Sequence, residues 1–295
     1  RITFSGRGPQ MTFNLRTIRS GSIAMTAALV LALVAGTPSV AATDYERHTD
    51  LPSIAAISPD GTFALFETYS PLAPTDTNVV RDVYRKDLTT GAMALVSRGP
   101  GGTALGGRLP DRSDARLLSS GGRYAVIDSN ANITGTVTDG KWHLYRVDLQ
   151  TGTSALIDIT SSGLPGSAAN PAAAGISSDG SKVAFVSASS LVSADANTYS
   201  DLYVRDFSGS GSTTLLSVDS AGNAIGSVSS WASLSTDGSS VVFGYVGLAY
   251  GSPLHSSWAL YWRSLGSPAV TRISGDGALD QPPISLAHLA ISSAG

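Results

Sequence analysis

The sequence predicts an all-β protein assembled from one repeated, four-stranded antiparallel unit. Three observations predict it. Ser-x-x-Gly turn segments recur at a near-constant period, an apolar-Tyr pair follows each of the first four turn glycines at a fixed distance, and short apolar runs lie between them. The composition agrees: 32 Gly and 14 Pro in 295 residues suit many turns, and a charged fraction of only 14% excludes a coiled coil. With no cysteine, a disulfide framework and a thiolate zinc site are excluded as well.

The repeat is read by aligning Ser58-Pro-Asp-Gly61, Ser119-Ser-Gly-Gly122, Ser177-Ser-Asp-Gly180, Ser235-Thr-Asp-Gly238 and Ser292-Ser-Ala-Gly295. Successive glycines are 61, 58, 58 and 57 residues apart. The pairs Val83-Tyr84, Leu144-Tyr145, Leu202-Tyr203 and Leu260-Tyr261 place each Tyr 23 residues after its glycine. An acid follows three residues later in three copies, as Asp87, Asp148 and Asp206, and Ser264 takes the place in the fourth.

Each element of the unit has its own signal. Strand A precedes the glycine, as in Ile54–Ser58 and Ala174–Ser178. The Asp-Gly turn then reverses the chain, because Gly tolerates positive φ and the preceding Ser can bond back to the turn backbone. Strand B carries Ala64-Leu-Phe66, Ala125-Val-Ile127, Val183-Ala-Phe185 and Val241-Val-Phe243. These runs do not alternate with polar residues, so both faces are expected to be buried. Strand C holds the apolar-Tyr pair and is expected to alternate more clearly. Thr90-Gly91 and Thr151-Gly152 mark the next turn, and strand D runs through Leu95, Leu156, Leu215 and Arg272-Ile273. Four antiparallel strands whose inner members are buried on both faces describe a β-propeller blade pressed between two others. Residues 52–295 thus predict about four complete blades plus the first strand of a fifth, Ser285–Ser292, and hence an incomplete propeller whose reading frame continues. A β-solenoid is the competing architecture, but its coils are usually much shorter than this period.

The S-x-D-G turn, the V-A-F run and the D-[LV]-Y-x-x-D strand resemble the TolB-like, WD-like propeller repeat, most closely over Asp195–Asp206. The resemblance implies the fold across residues 52–295 and says little about activity, because such repeats occur in periplasmic interaction proteins, surface proteins and peptidase propellers. The second copy departs most, with Gly121 in place of Asp and His143 in place of the Asp before Leu-Tyr.

Residues 1–10 read as upstream or non-native sequence ahead of Met11. Residues 11–42 read as a secretory signal: Arg16 and Arg19, the apolar stretch Ile23–Val34, and small residues up to Ala41 and Ala42 at a cleavage site. That stretch is shorter than the roughly 20 residues a membrane span needs, so the expectation is export to an extracellular or periplasmic location with no span after cleavage. Residues 43–51 form a linker. Residues 43–295 carry 15 Lys and Arg (19 less the four in residues 1–42) against 22 Asp and Glu, a net charge of −7. That balance leaves no electrostatic footprint for nucleic acid.

No nucleophile elbow, zinc helix or phosphate loop occurs, and His48, His143, His255 and His288 share no metal-ligand spacing. The chain therefore carries no catalytic motif. One polar pattern is repeated: Asp76, Asn78 and Asp82 match Asp195, Asn197 and Asp201 at 15, 17 and 21 residues after the turn glycine. D-x-N-x-x-x-D offers three oxygen donors of the kind calcium takes, but lacks the EF-hand's Gly and bidentate Glu. The same residues also form Asx-turns leading into strand C, which is their commoner use. Trp142, Trp231, Trp258 and Trp262 offer either a sugar-stacking platform or packing between blades, and burial is the commoner role of aromatic side chains.

In such a meander the A–B and C–D turns share one face, and the B–C and D–A connections share the other. The first set is short and the second long, with B–C spanning Thr68–Arg81, Ser129–Lys141, Ala188–Ser200 and Val246–Ser257. Binding residues concentrate on loops held by a rigid scaffold. The long-loop face is therefore expected to bind, with Trp142, Tyr199, Tyr250 and His255 as contact residues for a protein or polysaccharide partner. The reading is a non-catalytic binding scaffold. The alternative is the propeller domain of a larger secreted, prolyl-oligopeptidase-like hydrolase.

Overall fold

The computed structural model describes residues 53–273, apart from 79, 103–104, 106–112, 169, 219–221, 223, 225–227 and 249–255. The segments expected to form the signal, the linker and the fifth-repeat strand lie outside the described residues. Among the described residues sixteen strands form four antiparallel meanders, each with its strands in sequence order. The first blade is β1 (Ser53–Ile57), β2 (Phe63–Thr68), β3 (Asp82–Asp87) and β4 (Met93–Leu95). The second is β5 (Ser113–Leu118), β6 (Tyr124–Ser129), β7 (His143–Asp148) and β8 (Ser154–Leu156). The third is β9 (Ala172–Ile176), β10 (Lys182–Ser187), β11 (Asp201–Asp206) and β12 (Ser212–Leu215). The fourth is β13 (Val228–Leu234), β14 (Ser240–Leu248), β15 (Ser256–Ser264) and β16 (Val270–Arg272). The A strands β1, β5, β9 and β13 neighbour one another in that order, which makes them the inner strands of a β-propeller.

The unbroken apolar runs of strand B find their reason in the stacking. Ala125 and Ile127 join Leu65 and Val83 in the core between blades one and two, whereas Val126 joins Val183 and Phe185 between blades two and three. Ala184 and Val186 then pack with Val241 and Phe243 between blades three and four. Successive residues point to opposite neighbours, and each neighbour needs an apolar contact. The conserved register places Phe66, Ile127, Phe185 and Phe243 opposite Tyr84, Tyr145, Tyr203 and Tyr261. Where both are aromatic the rings stack with centroids 5.6–5.9 Å apart.

Strand C departs from expectation. Its first three residues are buried in each of the first three blades, so it alternates little. It lies between two sheets as strand B does, with Tyr145 facing blade one and Leu144 facing blade three. The fourth blade departs too: β14 and β15 have nine residues each and stay paired from Ser240↔Ser264 to Leu248↔Ser256. This longer ladder takes in both ends of the loop expected over Val246–Ser257, as far as Leu248 and from Ser256 on.

The turn glycines have two duties. Gly61, Gly180 and Gly238 sit at φ 71°, 70° and 69°, where a side chain is strained. Gly122 and Gly180 also lie against the aromatic ring two residues after the preceding blade's glycine, Phe63 and Tyr124, so close that a Cβ would overlap the ring. An arginine closes each contact. Arg85 lies 4.6 Å from the Phe63 centroid and donates Nη1–H to the Gly122 carbonyl at 2.7 Å. Arg146 lies 4.6 Å from the Tyr124 centroid and donates to the Gly180 carbonyl at 2.7 Å.

Gly61 has open space around its missing Cβ. Gly61→Ala is therefore expected to cost only the left-handed backbone penalty, about 1–2 kcal/mol. Gly180→Ala adds overlap with Tyr124 and should cost roughly 2–4 kcal/mol. Denaturant midpoints measure both, and equal losses would show that the ring contact does not constrain the stacking.

Candidate functional site

The long-loop face is built where strand B ends, strand C begins and strand A starts. In blades one and three the two predicted acidic loops converge on the same hydrogen bonds. Tyr84 Oη donates to Asp76 Oδ2, and Tyr203 Oη donates to Asp195 Oδ2. Asn78 Nδ2 donates to Asp82 Oδ2 at 2.8 Å, and Asn197 Nδ2 to Asp201 Oδ2 at 3.0 Å. The other oxygen of each strand-C acid accepts from the end of strand D, Ser97 Oγ to Asp82 at 2.5 Å and Ser217 Oγ to Asp201 at 2.6 Å. Asn78 and Asn197 also accept from the backbone N–H of Val80 and Tyr199, at 2.8 and 2.7 Å, as Asx-turns do. Burial pushes the Asp82 carboxyl up to about 6.

These six residues thus brace the B–C loop against strands C and D. Among the described residues no group of three His, Cys, Asp or Glu is placed to hold a metal ion. Asp76 Oδ1 is a buried oxygen without a partner.

Blade two performs the same bracing with donor and acceptor exchanged. Offsets 15, 17 and 21 from Gly122 hold Val137, Asp139 and His143, and Asp158 stands where blade one has Ser97. His143 Nδ1 lies 2.6 Å from Asp158 Oδ2, and its Nε2 lies 3.2 Å from both oxygens of Asp139. Burial alone would push His143 down. The carboxylates on both ring nitrogens outweigh it and hold the imidazole above its ordinary 6.5. His143 has no exposed surface. Because Val137 replaces the aspartate, the hydroxyl of Tyr145 is buried without a partner.

A cavity of about 630 Å³ opens on this face between blades two and three, lined by Asp114, Arg116, Asp128, Trp142 and the Asn170–Ala173 segment. Asp114 and Asp128 are directly opposed partners of β5 and β6. Two carboxylates so placed repel, and Arg116 resolves the conflict, its Nη2 lying 2.5 Å from Asp128 Oδ2 and 3.6 Å from Asp114 Oδ2. Arg116 can do so because it is the extra residue of a bulge between Ala115 and Leu117, which re-aims its side chain. The network continues into blade one, where Arg81 pairs with Asp114 and, at 3.0 Å, with Glu67. Glu67 Oε1 accepts the Ala115 N–H at 2.7 Å. Burial raises the Glu67 and Asp128 pKa values. Asp128 is 6% exposed, and its Oδ1 has no hydrogen-bond partner. Asn170 on the rim has φ 61°, the one positive value at a non-glycine among the described residues.

Of the predicted contact residues, Trp142 lines this cavity. Tyr199, 60% exposed, stands on the B–C loop of blade three outside its lining. Tyr250 and His255 lie outside the described residues. Asp114, Arg116, Asp128 and Asn170 were not singled out by the sequence. The available signal was an acid six residues after the turn glycine, Glu67 and Asp128, ending an otherwise apolar strand.

No protein-family model matches the sequence, and no curated protein matches it. Solved structures with a similar chain course include one of two prolyl endopeptidases, at 13% identity and a TM-score of 0.46, covering 77% of this chain and 30% of that one. The β-propeller domain of the Trilobed protease from Pyrococcus furiosus is similar at 12% identity and a TM-score of 0.43, covering 75% of this chain and 56% of that one. A puromycin-hydrolyzing peptidase of Mycobacterium tuberculosis is similar at 16% identity and a TM-score of 0.43, covering 78% and 30%. The chain thus spans less than a third of the length of the two peptidases.

Two outcomes test the braces. Asp195→Ala removes the charge-assisted bond from the Tyr203 hydroxyl, which keeps the Ser189 carbonyl at 2.9 Å as its other acceptor, and should cost about 1.5–3 kcal/mol. A purely hydrogen-bonded brace loses the same amount in calcium and in chelator; a calcium-dependent loss in a melting experiment would support the cation-site reading. In blade two the raised His143 pKa stabilises the fold fully below the ordinary histidine value of 6.5, and that contribution disappears as pH rises through the folded value. Unfolding free energy should therefore fall as pH rises above about 6.5, and His143→Gln should flatten the decline. An unchanged profile in the variant would remove His143 as its source.

Proposed function

We propose that the protein is an exported, non-catalytic β-propeller that binds a partner through its long-loop face, with the cavity between blades two and three as the contact site. The observation that carries this is the buried, unpartnered Asp128 Oδ1 in a cavity with an indole wall. A carboxylate oxygen removed from water without a donor is costly, and a ligand that supplies the donor recovers that cost. The cavity volume falls within the range of small-ligand sites, roughly 300–1,000 Å³. The TolB-like resemblance of the repeat supports an interaction role, and the Arg-rich segment with its apolar stretch before residue 43 supports export.

The test is a binding screen of the purified chain against immobilised peptides and polysaccharides, repeated with Asp128→Asn and Trp142→Ala. Ligands should be lost in both variants and kept by Thr89→Glu and Gln150→Glu, which alter exposed C–D turns on the opposite face. Ligands kept by the cavity variants and lost by the turn variants would move the site to the other face. A nucleophile elbow followed by Asp and His downstream in the reading frame would make this module the propeller of a hydrolase.

A further inference from the structure

The repeat contains its own comparison for the cavity. Counted from the turn glycine, Glu67 in blade one and Asp128 in blade two occupy the same position, six residues on, at the end of strand B. Arg81 and Trp142 occupy the same position, 20 residues on, just before strand C. The facing strand A carries Asp114 in blade two and Ala172 in blade three, each eight residues before its glycine. The cross-strand registers confirm the equivalence, pairing Asp114 with Asp128 and Ala172 with Val186.

Between blades one and two, therefore, the space at the end of strand B is filled from within. The Arg81 guanidinium lies there, paired with Glu67 of its own blade and Asp114 of the next. Between blades two and three the acid is kept, one methylene shorter. The arginine has become Trp142 and the facing acid has become Ala172. The cavity is what those three changes leave, and Ala172 and Trp142 line it.

Resting on the binding reading above, we propose that this cavity receives the guanidinium of an arginine side chain presented by a protein partner, in the place Arg81 takes one blade earlier. The connected network holds three carboxylates, Glu67, Asp114 and Asp128, against two guanidinium groups, Arg81 and Arg116, leaving one negative charge uncompensated. The oxygen without a donor is Asp128 Oδ1. A guanidinium supplies planar N–H donors with charge and stacks on an indole. A neutral sugar supplies the donor and the stacking without the charge. The nearest other cation before strand C, Lys141, is anchored by Nζ to the Ser167 carbonyl at 2.6 Å.

The intact chain should be titrated with acetyl-Gly-Arg-Gly-amide, with its citrulline counterpart, and with maltotriose and chitotriose. The arginine peptide should bind, and the citrulline peptide should bind about tenfold or more weakly for loss of the charge-assisted bond. Affinity should fall as salt rises from about 50 to 500 mM. Asp128→Asn, which keeps the side-chain volume, should lower affinity by at least about tenfold with an unchanged circular dichroism spectrum, and Trp142→Phe should retain part of it. Equal binding of arginine and citrulline peptides overturns the inference, as does a neutral oligosaccharide whose salt-independent binding disappears in Asp128→Asn; in both cases the binding reading survives. Folded protein that binds none of these probes, and binds nothing in the wider screen through this cavity, overturns both.

Discussion

Blades two and three each set a glycine against an aromatic ring of the blade before. Gly122 rests on Phe63 and Gly180 on Tyr124, and Arg85 and Arg146 cover those rings while holding the glycine carbonyls. The absence of one methyl group lets the backbone of one sheet touch the side chains of another. That contact fixes how closely the blades approach at the turn face. The opposite end of each interface is then closed or left open by whatever the strand ends supply. Between blades one and two Glu67 and Arg81 close it; between blades two and three Asp128, Trp142 and Ala172 leave it open. The cavity depends on the clamp, because without a fixed spacing at one end a gap at the other would collapse.

Much of this was legible in the sequence. A constant interval from Gly to Tyr is a register statement, and the apolar B runs are a statement about two neighbours. The long loops of the first three blades could be assigned to one face by the alternation of strand direction alone. The cavity was not legible in the same way, although Trp142 was. Its acids are ordinary surface residues until strand pairing puts Asp114 opposite Asp128 and a bulge turns Arg116 toward both. Bulges leave no signature that distinguishes Arg116 from any other charged residue on an inner strand. Strand C misled for a related reason: its arginines look solvent-facing in the sequence, yet Arg85 and Arg146 lie over aromatic rings of their own blades with their heads on the next.

The second blade shows that position, rather than residue type, is retained by the repeat. Its departures include His143 for Asp and Asp158 for Ser. They form one matched exchange, in which the strand-C residue becomes the donor and the strand-D residue the acceptor. The remaining mismatch is Val137, which leaves the Tyr145 hydroxyl buried without the carboxylate that Tyr84 and Tyr203 enjoy. In blades one and three the B–C loop aspartate accepts from the tyrosine hydroxyl and the strand-C aspartate from the asparagine amide.

The alternation of strand B has a thermodynamic meaning beyond packing. Ile127 belongs to one interface and Val126 to the other, one residue apart on the same strand. Besides the ring pairs stacked within a blade, its central strands bury apolar side chains against both adjoining sheets. In a one-dimensional array of this kind the intrinsic free energy of a unit is small and the nearest-neighbour coupling large. Residue parity along β6 then becomes an address: a cavity-forming substitution at an odd-numbered position weakens the coupling to the blade before, and one at an even-numbered position weakens the coupling to the blade after. The boundary at which cooperative unfolding divides the array can be selected by moving a single truncation one residue along the strand.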